Sequence, residues 1–114
     1  MKDSPVILRI SLLLGVAIIA NAAPRAALAQ DQDKAKIEAG AQTFADYCST
    51  CHGDNLVNTG PTTFDLRKLK ADERPRFENS VTNGKKQMPP WKGVLNAEQI
   101  DQLWSYIRAN AYEK

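Results

Sequence analysis

Two cysteines and a histidine lie within one stretch of five residues, Cys48-Ser49-Thr50-Cys51-His52. The whole chain contains two cysteines and one histidine, so all of them fall in this motif. Cysteines at this spacing can each add to a vinyl group of the same haem, and the adjacent imidazole then faces the iron. The motif therefore predicts one covalently attached haem c, with Cys48 and Cys51 as the thioether residues and His52 as an axial iron ligand.

Three other uses of these residues are weighed against this interpretation. The motif could be a dithiol or a surface disulfide that happens to precede a histidine. A structural zinc site requires four Cys or His ligands, and the chain has three, all in one turn. A thioredoxin-like redox pair requires a strand-helix-strand context, which the flanking sequence does not offer. Haem attachment is preferred because the chain's two cysteines and one histidine are all confined to one pentapeptide.

The second segment that carries chemistry is Gln87-Met88-Pro89-Pro90-Trp91. Two prolines keep the backbone extended and remove amide donors, so the preceding methionine lies in a stiff, non-helical segment. Apart from Met1 it is the chain's one methionine, and there is no second histidine. We therefore expect Met88 as the sixth iron ligand, with an open iron, a lysine ligand or a core-filling methionine as alternatives. Trp91 is expected to cover the haem edge and to donate to a propionate, or to lie at an interface.

The residues between these two segments have the composition of a loop, from Gly53 to Thr63. The carbonyl of Pro61 is predicted to accept a hydrogen bond from the second ring nitrogen of His52, which would fix its tautomer. A plain turn proline is the alternative. Beyond the loop, Arg67 is predicted to contact a haem propionate.

Amphipathic helices are expected to position these segments. Asp33 is the predicted N-cap of the first helix, whose apolar stripe ends at Cys48. On that stripe Gly40 permits the close approach of another helix, and Phe44 fills the space beside it.

Two further helices follow the loop. The second begins at Asp72, tolerates Pro75 in its first turn and ends at Asn83-Gly84. The last has a capping box formed by Asn96 and Gln99. Its apolar face is expected to cross the first helix and consists of Ile100, Leu103, Trp104, Ile107 and Ala111.

The start of the chain is typical of a signal peptide. The apolar run from Ile10 to Ala23 is too short to cross a bilayer comfortably. Ala27-Leu28-Ala29 offers the small residues that a signal peptidase requires. We predict a signal peptide at residues 1–29 and a monohaem domain at residues 30–114, exported to the bacterial periplasm. An uncleaved membrane anchor is the alternative.

The distribution of charge along the chain bears on the choice of partner. The leader takes away three of the 15 basic and one of the 13 acidic residues, which leaves 12 of each. The net charge of +2 therefore gives no reason to expect nucleic-acid binding. Basic residues cluster between Arg67 and Lys92, and we expect this cluster to steer an acidic redox partner. A solvated surface is the alternative. The basic residues around the methionine segment are Lys85, Lys86 and Lys92.

With these residues in view, the chain resembles the class I cytochromes c over about residues 37–110. This resemblance implies an all-α fold in which crossed N- and C-terminal helices surround one covalent haem with His/Met ligation. The residues that carry it are Gly40-x-x-x-Phe44, Cys48 to His52, Gly60-Pro61, Met88-Pro89 and Leu103-x-x-Tyr106.

Three short motifs are similar to small periplasmic cytochromes that accept electrons from quinoprotein (pyrroloquinoline quinone) alcohol dehydrogenases. The chain lacks the extensions that some of those cytochromes carry. The resemblance implies an electron carrier, not an enzyme, that passes electrons towards a terminal oxidase and has no stable membrane insertion after cleavage. A haem sensor or small peroxidase with an open iron site is one alternative, and a fixed subunit of a respiratory complex is another. The motifs are Phe64 to Arg67, Ser80 to Gly84 and Met88 to Trp91.

Overall fold

The structure is a computed structural model that describes residues 25–114. Within this range the chain forms four α-helices and three short 3-10 turns. The same range contains no β-strand, only isolated bridges that pair Lys85 with Met88 and Lys92 with Leu95. The all-α fold predicted from the sequence is therefore confirmed. The helices are α1 (Arg25–Tyr47), α2 (Ser49–His52), α3 (Arg74–Asn83) and α4 (Ala97–Ala109).

The start of α1 differs from the prediction. Asp33 lies inside the helix and is not its N-cap, because the helical backbone already includes Arg25. The intervening Ala26-Ala27-Leu28-Ala29 is rich in strong helix formers, which explains the extension. The predicted cleavage site after Ala29 falls within α1, and residues 1–24 of the predicted signal peptide lie outside the described residues. Cleavage, and with it the proposed domain boundary, stays a prediction.

No helix in the range from residue 25 to residue 114 combines the length and apolar character needed to cross a membrane.

The packing of α1 against α4 depends on Gly40. A Cβ atom at this position would lie 2.0 Å from the carbonyl oxygen of Gln102 and 2.9 Å from the Cβ of Tyr106. One turn further along α1, the ring of Phe44 is 2% exposed and lies 5.5 Å from the ring of Tyr106, centroid to centroid. The predicted contact of the two terminal helices through Gly40 and Phe44 is confirmed.

The core forms between this helix pair and α3. The rings of Phe77 in α3 and Trp104 in α4 are 5.3 Å apart. Leu56, from the loop after α2, is 1% exposed and belongs to the same core. Its burial is not apparent from sequence because no periodic pattern surrounds it. The buried core comprises Phe44, Leu56, Leu69, Phe77, Val81, Leu95, Leu103, Trp104, Tyr106 and Ile107.

The ends of α3 and α4 follow the predicted caps with one shift. A 3-10 turn at Ala71–Glu73 precedes α3, so the α-helix begins at Arg74 instead of Asp72, with Pro75 in its first turn. At the start of α4, the side chain of Asn96 accepts a hydrogen bond of 2.9 Å from the Gln99 amide. The Gln99 side chain accepts one of 3.0 Å from the Asn96 amide, which completes the predicted capping box.

Asp101 connects three helices through charge. One carboxylate oxygen lies 2.5 Å from Lys36 Nζ in α1, and the other lies 2.7 Å from Arg74 Nη2 in α3. Hydrogen bonds from Lys36 and, to a smaller extent, from Arg74 lower the pKa of Asp101, although burial opposes the shift. The sequence does not reveal this cluster, because its members come from three separate helices.

Replacing Gly40 by alanine is expected to destabilise the haem-loaded protein by about 2 kcal/mol, since the added methyl group overlaps the α4 backbone. The overlap outweighs the gain in helix propensity of roughly 1 kcal/mol. Chemical denaturation of purified protein measures the change. Gly60→Ala is the matched control, because a Cβ at Gly60 meets no atom within 4 Å. Equal stability of the two variants would contradict the close packing.

Asp101→Asn is expected to lower stability by about 1 kcal/mol or less at pH 7, because the ion pairs are partly exposed. The native pKa of Asp101 lies below its usual value, so its contribution is present above about pH 4 and is lost as pH falls. The difference from wild type should therefore shrink on acidification. Glu38→Gln, which removes an exposed surface pair with Lys34, serves as the control in denaturation curves at several pH values. A loss of stability that is the same at every pH would refute the role of the ionised Asp101 carboxylate.

Candidate haem-binding site

The Cys-x-x-Cys-His motif lies at the junction of α1 and α2. The amide of Cys48 donates to the carbonyl of Phe44 at 2.8 Å, which continues the bonding pattern of α1. The amides of Cys51 and His52 both donate to the Cys48 carbonyl, at 3.2 and 2.9 Å. These bonds hold both cysteines and the histidine within a single helical turn.

The two cysteines have free thiols in different environments. Cys48 is partly buried against the core, whereas Cys51 is exposed. Burial, followed by the proximity of Cys51, raises the pKa of Cys48 to about 11. At neutral pH Cys48 is therefore a neutral thiol. Across residues 25–114, no three or more His, Cys, Asp or Glu side chains form a group that could hold a metal ion without a cofactor.

The imidazole of His52 is partly buried, and its Nδ1 atom has no hydrogen-bond partner among the described residues. Burial lowers the pKa of His52, and an interaction with the Phe64 backbone offsets part of this shift. The ring is thus held in the neutral form that a metal ligand requires.

The predicted hydrogen bond from His52 to the carbonyl of Pro61 is not formed, since Nδ1 is unpaired. Pro61 is exposed, within a turn closed by a 2.5 Å hydrogen bond from the Asn58 side chain to the Thr63 carbonyl. Gly53 fixes the entry to this loop with φ of +78, and a Cβ there would lie 1.7 Å from the Val57 carbonyl oxygen. A contact between Pro61 and haem stays a prediction.

We call residues 84–92 the Met88 loop. Lys85 and Met88 exchange two backbone hydrogen bonds of 3.0 Å around a tight turn in which Lys86 has φ of +56. Gly84 lies directly against the segment after the turn, because a Cβ there would lie 2.7 Å from the Met88 oxygen and 2.9 Å from the Pro90 nitrogen. The loop is non-helical, as the two prolines predict, and Met88 itself is partly buried against the core.

The end of the Met88 loop is attached to α3. The amide of Trp91 donates to the Val81 carbonyl at 2.9 Å, and the amide of Lys92 donates to the Thr82 carbonyl at 3.1 Å. The last carbonyls of a helix have no partner within the helix. The loop therefore caps α3, and α3 in return fixes the backbone that follows Met88.

An aromatic contact joins the Met88 loop to the cysteine motif. Tyr47 immediately precedes Cys48, and its ring lies 5.5 Å from the ring of Trp91 at an interplanar angle of 72°. Cys48, Met88 and Trp91 all pack against the same core. Tyr47 was not among the residues predicted from the sequence, although an aromatic residue next to the motif is a visible signal. The role of Trp91 at the haem edge stays a prediction.

Arg67 is bound by protein groups. Its Nε and Nη2 atoms donate to the two carboxylate oxygens of Asp65, both at 3.0 Å, and its guanidinium lies 4.8 Å from the ring centre of Tyr112. The hydroxyl of Tyr112 also donates to Asp65 at 3.0 Å, and its amide donates to the Arg67 carbonyl. This cluster secures the C-terminal segment, a role that sequence did not reveal, and contact with a propionate stays a prediction.

The residues present fit a covalently bound haem. Two free thiols lie within one turn, beside an imidazole with an unpartnered buried nitrogen. The neutral form of the imidazole, which burial favours, can bind iron through its other ring nitrogen. A thioether sulfur in Met88 is available on the same core.

Comparison with known proteins decides the family. Residues 35–107 match the family model described as cytochrome c oxidase, cbb3-type, subunit III. The chain belongs to this family of c-type cytochromes. It is 37% identical to cytochrome c6 of Nostoc sp. (strain PCC 7120) over 103 residues, which cover 87% of this chain and 88% of that protein. Cytochrome c6 of Euglena gracilis is 37% identical over 81 residues, 63% of this chain and 90% of that one.

A third relative is much longer. The quinohemoprotein alcohol dehydrogenase ADH-IIG of Pseudomonas putida is 36% identical over 87 residues, which cover 75% of this cytochrome but 12% of the dehydrogenase. The cytochrome thus spans about an eighth of that enzyme. No solved structure matches the chain.

These relationships confirm the predicted family, cofactor and class of activity. The protein is a monohaem class I c-type cytochrome that carries haem c and transfers electrons, and it is not an enzyme. The likeness to cytochrome c6 was not part of the sequence prediction, which pointed to the partners of quinoprotein dehydrogenases.

Proposed function

We propose that this cytochrome is a periplasmic carrier that accepts single electrons from a pyrroloquinoline-quinone-dependent alcohol dehydrogenase and passes them towards a terminal oxidase. In this proposal Cys48 and Cys51 would hold the haem covalently, and His52 and Met88 would be the two protein ligands of its iron. The observation that carries it is the packing of the cysteine motif and the Met88 loop on one core, joined by the Tyr47–Trp91 contact. This arrangement supports a protein ligand on each side of the iron.

When bound, haem c supplies one-electron exchange between Fe(II) and Fe(III), and a methionine ligand raises the potential relative to two histidines. The chain positions the two ligands and keeps other molecules from the iron. Neutral His52 offers a nitrogen lone pair, and burial favours that form. Gly84 and the hydrogen bonds to α3 hold the backbone on both sides of Met88.

Two dehydrogenase relatives support the proposed electron donor. ADH-IIG and ADH IIB of Pseudomonas putida, both named quinohemoprotein alcohol dehydrogenases, are 36% and 30% identical to this cytochrome, each over 12% of its own length. A segment similar to this chain is therefore part of each enzyme. A separate electron carrier that is similar to this segment is suited to accept electrons from an alcohol dehydrogenase of the same class.

The name of the matching family supports an oxidase as acceptor, and it also favours a second candidate function. In that second case the cytochrome is a fixed subunit of a respiratory complex. Gel filtration of a periplasmic extract discriminates between them. Elution at the size of a monomer supports the mobile carrier, and constant co-purification with a larger enzyme supports the subunit.

The basic side chains of the Met88 loop supply a docking surface for an acidic partner. Lys85, Lys86 and Lys92 are all exposed. Charges of one sign around an electron-transfer site accelerate encounter with a partner of opposite sign.

Met88→Ala is expected to abolish the weak far-red absorption band of ferric haem with a sulfur ligand, because the sixth ligand is removed. The ferrous variant should also bind carbon monoxide readily at neutral pH, unlike wild type. Absorption spectra of the purified holoprotein measure both effects. Gln87→Ala, an exposed change in the same turn, is the control and should resemble wild type. Ready binding of carbon monoxide by wild type would instead support the sensor or peroxidase with an open iron site.

Reversing the charges of Lys85 and Lys86 to glutamate should slow reduction by the dehydrogenase about tenfold at low ionic strength. The effect should fade as salt screens the charges. Stopped-flow reduction at several salt concentrations measures the rate. Lys34→Glu, a single reversal in α1 at a well-exposed site, is a control that carries half of the double variant's change in net charge. An unchanged rate in the double variant would exclude this surface as the docking site.

A further inference from the structure

We propose that Tyr47 is a positioning residue that keeps the Met88 loop closed over the haem through its ring contact with Trp91. The proposal rests on the proposed function, in which Met88 is the sixth ligand. Tyr47 carries no reactive group for the iron, and it acts through the loop that presents Met88.

The attachments of the Met88 loop come from two directions. The hydrogen bonds of Trp91 and Lys92 tie the loop to the end of α3, and Gly84 packs under Met88 and Pro90. These contacts join the loop to the helix that immediately precedes it. The contact with Tyr47 joins it to α1, which carries the cysteine motif.

The position of Tyr47 in the sequence connects this second attachment to the ligation of the iron by Met88. Tyr47 is the residue before Cys48, so its backbone adjoins the site of covalent haem attachment. Its partner Trp91 lies three residues after Met88. Separation of the two rings would remove the aromatic contact between the Met88 loop and the residue before Cys48, while leaving the loop's bonds to α3 intact.

The environment of Tyr47 shows that its ring makes the relevant contact. The residue is 38% exposed, so it is not a core residue. Its hydroxyl makes no hydrogen bond to any described residue, whereas its ring meets Trp91 in the edge-to-face geometry that aromatic pairs prefer. A contact of this kind shifts an open-closed equilibrium by roughly 2- to 10-fold.

Imidazole competition tests the proposal on the ferric holoprotein. Added imidazole binds the iron only when the loop releases Met88, so its apparent affinity reports the open population. Tyr47→Leu should raise that affinity roughly 2- to 10-fold, as measured by titration in the visible spectrum. Tyr47→Phe keeps the ring and should stay within about twofold of wild type. Tyr112→Leu, which removes an exposed tyrosine that contacts Arg67 and Asp65, is the matched control.

A double-mutant cycle with Trp91→Leu separates the contact from general destabilisation. If the rings act together, Tyr47→Leu should have little further effect once Trp91 is replaced. Equal affinities for wild type and Tyr47→Leu, equal increases in the Tyr47 and Tyr112 variants, or additive effects in the cycle would each overturn the proposal. If Tyr47→Leu does not yield holoprotein, Trp91→Leu compared with Trp91→Phe tests the same contact.

Failure of the underlying ligand assignment has a different signature. A wild-type protein without the far-red sulfur band would show that Met88 is not the sixth ligand. A wild-type protein that has the band but shows no response to Tyr47→Leu would reject the role of Tyr47 alone.

Discussion

The close contact of α1 with α4 at Gly40 is the constraint on which the rest of the structure depends. Without a side chain at this position, the backbones of the two helices meet, and Phe44 then reaches Tyr106 within the core. The same helix continues for one turn to the cysteine motif. The backbone contact at Gly40 therefore sets the position of both thiols and of the imidazole, because the same helix leads to all three.

The Met88 loop is stabilised by its own turn and by hydrogen bonds to the end of α3. The amides of Trp91 and Lys92 donate to carbonyls at the end of α3 that have no partner within the helix. The same bonds fix the backbone that follows the two prolines. Gly84 allows this path because its positive φ and missing side chain leave room for the returning chain. Stiffness matters for a methionine ligand, since a loosely held sulfur would exchange with other ligands of the iron.

Family membership and partner choice are separate questions for this cytochrome. Cytochrome c6 and the quinohemoprotein dehydrogenases each contain a segment similar to this chain, although they are different kinds of protein by name. A fold supplies the cofactor site, whereas the partner is chosen by surface chemistry. A domain this small buries a limited core, so the haem also contributes apolar surface to its stability. In the proposed function, the exposed lysines of the Met88 loop are the surface that would contact the partner.

The cofactor and helix α4 were predictable from the sequence alone, because both are encoded in neighbouring residues. Five consecutive residues contain both cysteines and the histidine that covalent haem attachment requires. A capping box with a periodic apolar face defines α4. The folded chain was needed to show that Tyr112 joins Asp65 and Arg67, that Pro61 is exposed, and that Asp101 joins three helices. The contacts of Tyr112 and Asp101 link groups up to 47 positions apart that meet only after the helices pack, and no local pattern in the sequence predicts them.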